Sequence, residues 1–223
     1  MQSQPFGGDK KVGQSLLHGP EQVLIQAAAP RVPAWIKSHH LTLASIPISL
    51  LIILCSYLGK ESIEWLWAVS GLIALQWITD SLDGAVGRLR KEGLIRWGYY
   101  MDHLLDFFFL ASILIGYMLL LPDKSKWIHF FVLAIFGGFM VNSFLAFAAT
   151  NKFRVSYLGF GPTEARLVFI LINTLIILFG KTYLAFSLPY ILGFALLGLI
   201  VVIYKTQKET WEMDMEARQN LDK

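Results

Sequence analysis

The chain of 223 residues is poor in charge and in cysteine. Only 16% of its residues are charged, well below the roughly 25% that is typical of soluble domains. A single cysteine, Cys55, excludes an intrachain disulfide. The formal net charge of +3 is too small to indicate nucleic-acid binding, so no nucleic-acid partner is expected. No apolar segment lies near the start of the chain, so we expect no cleaved signal peptide.

Long apolar runs take the place of charge: 55% of the residues are hydrophobic and the mean hydropathy is +0.54. Six runs each offer the roughly 17–25 residues that a helix needs to cross a bilayer. We therefore predict an all-α integral membrane protein with six transmembrane helices. Residues 20–36 predict an N-terminal interfacial helix interrupted at Pro30, with a loosely ordered linker as the alternative. The predicted spans are residues 41–59, 63–84, 99–121, 127–149, 164–180 and 184–204.

Lysine and arginine orient these spans. Most of the 19 Lys and Arg residues fall in the N-terminal arm, in the loops after spans 2 and 4, and in the tail. An excess of these residues marks the cytoplasmic side of a membrane protein, so we predict that both termini and the aspartate-rich loop lie there. The predicted domains are a cytoplasmic arm with a juxtamembrane amphipathic segment (1–38), a six-helix membrane domain (39–205) and a cytoplasmic tail (206–223).

Four aspartates lie where the second span ends and the third begins. Residues three or four apart share a helix face, and a short basic loop predicts antiparallel neighbours, so both carboxylate pairs would face one pocket. Charges at membrane depth are costly and usually functional, and four carboxylates so close would repel one another without cations between them. Their oxygens suit Mg²⁺, Mn²⁺ or Ca²⁺, whereas the alternative is ion pairing with nearby basic residues. The aspartates are Asp80, Asp83, Asp102 and Asp106.

Two glycines and an arginine follow the first pair. Glycine inside a helix costs up to about 1 kcal/mol relative to alanine, so Gly84 and Gly87 indicate the close approach of a backbone or a flat ligand. Tight packing between membrane helices is the alternative. Arg88 shares the face of Gly84, within reach of a phosphate held at the carboxylates.

The spacing of these residues resembles the signature of the CDP-alcohol phosphotransferases (phosphatidyltransferases). That signature is D-x-x-D-G-x-x-A-R, eight or nine residues, then G-x-x-x-D-x-x-x-D. The one departure is Gly87 in place of Ala, which keeps the position small. The chain is also similar to small bacterial members of the family, with some features of the aminoalcohol phosphotransferases. The matching positions are Asp80, Asp83, Gly84, Gly87, Arg88, Gly98, Asp102 and Asp106.

The resemblance implies a phospholipid-biosynthetic enzyme that transfers substituted phosphate groups. Such an enzyme cleaves a CDP-linked substrate, CDP-diacylglycerol or a CDP-aminoalcohol, and passes the phosphoryl-bearing part to an alcohol, releasing CMP. One of the two substrates is then a lipid. The implied location is a bacterial inner membrane, with the active site on the cytoplasmic side.

The resemblance also implies roles for individual residues. Asp80, Asp83, Asp102 and Asp106 would bind metal, with two Mg²⁺ or Mn²⁺ ions as the expected cofactors. Asp106 would also be the catalytic general base. The CDP-binding residues would be Asp80, Asp83, Gly84, Gly87 and Arg88.

Two further residues are candidates for the acceptor or head-group site. His103 makes the second motif D-H-x-x-D, and Glu164 lies in G-P-x-E; both are similar to the aminoalcohol branch of the family. A cationic head group would be attracted to an acid at the pocket. The alternatives are a packed or capping histidine and an ordinary helix start at Pro162 with Glu164 in its first turn.

A divalent-cation transporter with the aspartates as its ion site is the rival function. Transport sites tend to lie near the bilayer midplane at broken helices, whereas these acids lie at one edge beside an arginine. The enzyme is therefore favoured. Membrane lipids and a second copy of the chain are the remaining expected partners, since apolar spans with small residues favour a homodimer.

Overall fold

The computed structural model describes residues 11–12, 16–121, 127–151, 153–154, 161–180 and 182–221. Those residues are almost entirely helical, apart from a two-residue parallel pairing of β1 (Lys11–Val12) with β2 (Phe153–Arg154). Parts of the predicted arm, loops and tail lie outside the described residues. The helices are α1 (His18–Ala28), α2 (Ser38–Leu43), α3 (Ser45–Leu58), α4 (Trp65–Arg90), α5 (Ile95–Leu120), α6 (Ile128–Thr150), α7 (Pro162–Phe179) and α8 (Thr182–Leu221).

Prolines determine where the first helices end. α1 stops before Pro30, and a 3-10 turn follows over Ala29–Arg31. The first predicted span is divided into α2 and α3 at Ala44. Pro47 lies just inside α3 and has no N–H to donate to the carbonyl of Leu43, which accounts for the division.

Five stretches of helix are long and apolar enough to cross a membrane, among the residues that the structure describes: Ser38–Leu58, Ile95–Leu120, Ile128–Thr150, Pro162–Phe179 and Phe186–Gln219. Each overlaps one predicted span, so the chain is a multi-pass membrane protein. The remaining predicted span, 63–84, forms α4, which is long enough at 26 residues. The aspartates and arginines at its end make it less apolar than the others, so the structure supports five of the six predicted spans on composition.

The helix α3 packs against both helices that carry the aspartates. The sequence predicts α4 and α5 as antiparallel neighbours, but each makes its most extensive packing with α3 instead. Small residues explain the α3–α5 contact: a Cβ on Gly116 would lie 2.9 Å from Cβ of Ser56. α4 and α5 make little direct contact with each other. The space between them holds the charged side chains of the aspartates.

Polar side chains connect three helices inside the apolar core. Asn173 of α7 is fully buried, and its amide donates to Ser70 Oγ of α4 at 3.1 Å. The Tyr117 hydroxyl of α5 donates to Asn173 Oδ1 at 2.9 Å. Because unsatisfied polar groups are costly in an apolar interior, these bonds hold α7 in a defined position against α4 and α5.

Candidate functional site

The structure brings the four predicted aspartates together. Asp80 and Asp83 lie about two to three turns before the end of α4, and Asp102 and Asp106 lie about two to three turns after the start of α5. The carboxylates of Asp80, Asp106 and Asp83 all lie close enough to Asp102 to repel it. All four side chains are half-buried. The cluster therefore concentrates negative charge at one end of the helices.

Arg166 of α7 is a buried cation that contacts this cluster. Its Nη2 donates to Oδ2 of Asp80 at 2.8 Å and to Oδ1 of Asp106 at 3.3 Å. Its Nε donates to Oε1 of Gln76 at 2.8 Å, and its guanidinium lies 5.7 Å from the ring centre of Phe109. Only 7% of the Arg166 side chain is exposed. A buried arginine with this many partners is a fixed part of the site.

Thr42 of α2 holds Asp83. The Thr42 hydroxyl donates to Oδ2 of Asp83 at 2.6 Å, and the backbone N–H of Gly84 donates to the other carboxylate oxygen. Thr42 is buried. Both oxygens of Asp83 therefore have protein donors, and the orientation of the carboxylate depends on where α2 lies.

The two glycines of the motif serve different contacts. A Cβ on Gly84 would lie 3.1 Å from Nη1 of Arg88, so the absent side chain leaves room for that guanidinium. A Cβ on Gly87 would lie 3.4 Å from Cβ of Ser38, so Gly87 lets α2 approach α4. The structure shows open space at Gly98. The alternative of tight helix packing thus applies to Gly87, whereas Gly84 accommodates the arginine.

Glu92 fixes the start of α2. Lys91 has φ 54°, the left-handed conformation, and the N–H of Glu92 donates to the carbonyl of Gly87 at 3.0 Å, a Schellman ending for α4. The Glu92 carboxylate then accepts from the backbone N–H of Ser38 at 3.0 Å and from its hydroxyl at 2.7 Å. The Ser38 hydroxyl is the largest cause of a lowered pKa for Glu92. Glu92 therefore ties the end of α4 to the start of α2.

His103 lies on the α5 side of the cluster. Its Nδ1 is 3.8 Å from Oδ2 of Asp102, and its ring makes an edge contact with Tyr99 at 4.6 Å between centroids. One ligand atom each from Asp102, His103 and Asp106 lie within 4.8 Å of one another. That spacing, and the concentration of carboxylates around Asp102, fit a divalent cation.

An apolar groove opens beside His103 between α5 and α6. It encloses about 410 Å³. Its walls are almost wholly hydrophobic and aromatic, which suits a hydrocarbon chain more than a nucleotide. The residues that line it include Tyr99, Tyr100, His103, Phe107, Gly137, Met140 and Phe144.

Glu164 occupies a capping position at the start of α7. Its Oε2 accepts from the backbone N–H of Gly161 at 2.9 Å, and its Oε1 accepts from the N–H of Leu17 at 3.0 Å. The side chain is buried, with 8% of the residue exposed. These contacts agree with the helix-start alternative.

The N-terminal helix meets the same region through Glu21. Its Oε1 accepts from Nε1 of Trp77 at 2.8 Å, from Ser81 Oγ at 3.2 Å and from Thr163 Oγ1 at 2.9 Å. Trp77 and Ser81 belong to α4, and Thr163 belongs to α7. One carboxylate oxygen therefore joins α1 to two of the helices that form the site.

Four residues of the site escape prediction from the sequence alone: Thr42, Gln76, Arg166 and Glu21. Arg166 and Gln76 carry a signal in principle, since polar side chains within apolar segments are usually functional. On the sequence alone, Arg166 is only one of several basic residues that follow the fourth predicted span. Nothing in the sequence identifies Asp80 and Asp106 as its partners.

A multi-pass helical membrane protein with clustered carboxylates at one end of its helices fits a metal-dependent transferase of phosphate-linked groups. Comparison with known proteins identifies the family. The family model described as CDP-alcohol phosphatidyltransferase matches residues 35–204, and the chain belongs to that family. The resemblance inferred from the motif is thus confirmed.

A curated relative is also similar. The inner membrane protein YnjF of Escherichia coli (strain K12) is 36% identical over 88 residues. That alignment covers 40% of this chain and 41% of the relative. The chain thus matches about two fifths of the relative's length.

Proposed function

We propose that this protein transfers the phosphoryl-bearing part of a CDP-linked substrate to an alcohol at the aspartate cluster, releasing CMP. The observation that carries the proposal is the convergence of Asp80, Asp83, Asp102 and Asp106 from two helices. The substrates are a CDP-linked donor and an alcohol acceptor, one of them a lipid. The apolar groove beside the cluster supports a lipid in either role.

The proposed roles follow the geometry of the cluster. Asp80, Asp83 and Asp102 hold two divalent cations, Mg²⁺ or Mn²⁺, together with Asp106. When bound, such ions neutralise the charge of the pyrophosphate. Arg88, with Gly84 beneath it, binds the CDP phosphates, and Gly87 lets α2 approach α4 beside that site.

Asp106 is the proposed general base. The acceptor oxygen bonds to the phosphorus of the transferred group, and the bond from that phosphorus to the CMP oxygen breaks. Asp106 takes the hydroxyl proton as the new bond forms. Its Oδ1 accepts from Arg166, and we assign the proton to Oδ2.

The proposed topology has six spans, with α4 crossing beside the other five. Asp80, Asp83 and the basic end of α4 then lie at the cytoplasmic edge, where a water-soluble nucleotide and a lipid can meet. α1 lies in the interface, since Val23 and Leu24 are 68% and 59% exposed while Glu21 is bonded to α4 and α7. Head-group contacts for His103 and Glu164, and a homodimer, stay predictions.

CMP release from purified protein tests the proposal. CDP-diacylglycerol is offered with a panel of alcohols, and CDP-choline or CDP-ethanolamine with diacylglycerol, each with Mg²⁺ or Mn²⁺. Asp106→Asn is the blank: we expect nucleotide binding to persist and turnover to fall about 100-fold or more. Metal-dependent CMP from one donor, absent in the blank, supports the proposal. Folded protein that binds Mn²⁺ but releases no CMP from any pair contradicts it and makes cation flux the next measurement.

A further inference from the structure

We propose that Arg166 is a positioning residue whose guanidinium sets the separation of the metal ligand Asp80 from the base Asp106. The inference rests on the proposed function for the roles of those two aspartates. The bridge itself rests on distances of 2.8 Å to Asp80 and 3.3 Å to Asp106, both measured from Nη2 of Arg166.

The guanidinium engages one oxygen of each carboxylate. Nη2 of Arg166 contacts Oδ2 of Asp80 and Oδ1 of Asp106. The guanidinium thereby fixes the rotation of both carboxylates, and with it the direction in which each presents its other oxygen. A group that hydrogen-bonds a ligating carboxylate orients that ligand. Loss of such an outer partner typically costs about 10–100-fold in metal affinity or activity.

Arg166 is itself held rigidly. Its Nε donates to Oε1 of Gln76 at 2.8 Å, and the Gln76 amide donates to Ser45 Oγ at 3.4 Å. Gln76 is fully buried, and Phe109 lies over the guanidinium. The side chain of Arg166 is therefore held by residues of α3, α4 and α5 as well as by its own helix, α7. The positions of both carboxylates then depend on where α7 lies.

The chemistry requires an arginine. A planar guanidinium presents several N–H groups in a fixed geometry, so it can bond Gln76 through Nε while Nη2 bonds both aspartates. A lysine ammonium supplies the same charge without that geometry. Arginine and lysine would balance the negative charge of the aspartates equally well. The Arg166→Lys variant therefore distinguishes a positioning role from simple charge neutralisation.

The test measures Mn²⁺ affinity and turnover separately. Mn²⁺ binding is followed by electron paramagnetic resonance on purified protein without substrate, and CMP release is measured at saturating Mn²⁺. The variants are Arg166→Lys, Arg166→Gln and Gln76→Leu, the last of which removes the support of Arg166 without changing charge. Arg218→Gln on the exposed end of α8 is the matched control for loss of one positive charge.

If Arg166 positions the aspartates, Arg166→Gln and Arg166→Lys both lower kcat at saturating Mn²⁺ about 10–100-fold. Both also weaken Mn²⁺ binding, about 10-fold for Arg166→Gln. Gln76→Leu gives a smaller change in the same direction, and Arg218→Gln gives none. Full activity in Arg166→Lys, or tighter Mn²⁺ binding with unchanged kcat in Arg166→Gln, would show that Arg166 only balances charge.

Failure of the proposed function is recognised separately. If wild-type protein releases no CMP with any donor, the transferase proposal fails, and the Mn²⁺ titrations still decide the role of Arg166. Mn²⁺ affinity unchanged in folded Arg166→Lys and Gln76→Leu would then overturn positioning. If Arg166→Gln does not fold, those two variants carry the same comparison.

Discussion

Hydrogen-bond donors of the protein orient the aspartates by binding individual carboxylate oxygens. Arg166 engages Oδ2 of Asp80 and Oδ1 of Asp106. Thr42 and the backbone of Gly84 engage Asp83. Chemically identical side chains can thus take different roles in one cluster, since each carboxylate is turned by a different partner.

Thr42→Val removes the hydroxyl that donates to Asp83 while nearly preserving side-chain volume. We expect Mn²⁺ affinity and CMP release to fall about 10-fold, because Asp83 then loses a donor that orients its carboxylate. Mn²⁺ titration and CMP release check the change. Thr174→Val is the matched control, since the Thr174 hydroxyl donates only to the carbonyl of Ile170 in its own helix. Equal losses in both variants would assign the effect to general destabilisation.

The residues of the site differ in how far a sequence reveals them. Asp80 and Asp83, or Asp102 and Asp106, lie one helical turn apart, so local spacing is enough to pair them. Arg166 meets Asp80 across 86 positions of the chain. Only the packing of α7 against α4 creates that contact, so no pattern within either segment predicts it.

At the level of helices, the junction of α2 with α4 controls the position of Thr42. Gly87 allows Ser38 to approach α4, and Glu92 binds the backbone N–H and hydroxyl of Ser38. A side chain one turn along α2 then reaches Asp83. A substitution of Glu92, which lies outside the cluster, should therefore change the position of Thr42 relative to Asp83.

Glu92→Gln tests this junction through pH. The folded protein lowers the pKa of Glu92 below 4.5, chiefly through the Ser38 hydroxyl, so it favours the ionised form. The stabilisation is complete above the unfolded pKa and is lost as pH falls through the lower folded pKa. We expect wild type to exceed Glu92→Gln in Tm at pH 7, with the difference shrinking as the pH falls below about 4.5. Thermal unfolding in detergent between pH 7 and 3 measures it.

Glu61→Gln provides the control for that titration, since Glu61 is exposed in the turn after α3. Its Tm should follow that of wild type at every pH. A Glu92→Gln deficit that stays constant to pH 3 would mean that the ionised carboxylate is not what stabilises the junction.

Close contact between α3 and α5 depends on the absence of a side chain at Gly116. Gly116→Ala would place a methyl group 2.9 Å from Cβ of Ser56, and overpacking of this kind costs about 1–3 kcal/mol. We expect a lower Tm. Gly71→Ala is the control, because no atom lies within 4 Å of its added Cβ and alanine favours the helix. A Gly116→Ala variant as stable as Gly71→Ala would contradict the tight contact.

Most of the helices could be predicted from the sequence, since long apolar runs leave few alternatives to membrane helices. The division at Ala44 was not predicted, because the run of apolar residues continues through it and only Pro47 interrupts the hydrogen bonding. The extent of α8 also differs. Its apolar part ends near residue 204, as predicted, but the helix continues to Leu221.

For the whole molecule, the distribution of basic residues and the six-span proposal together give a testable orientation. Cysteines introduced as Arg218→Cys and Glu61→Cys should lie on opposite sides, the first cytoplasmic. A membrane-impermeant maleimide should label Arg218→Cys only in inside-out vesicles and Glu61→Cys only in intact spheroplasts. The native Cys55 is buried and provides an inert background. Labelling of both from one side would reject the proposed topology.

The length of α8 has a mechanical consequence for the assembled protein. A helix needs about 20 residues to cross the hydrocarbon core, whereas α8 has 40. Beyond Lys205, at about 1.5 Å per residue, it extends roughly 25 Å as a charged rod into water. A fluorophore attached near Arg218 would stand clear of the headgroups. Because the tail continues the same helix, a small change in the tilt of the last span would move the fluorophore over a larger distance. Energy transfer from the fluorophore to a dye in the lipid would measure that displacement.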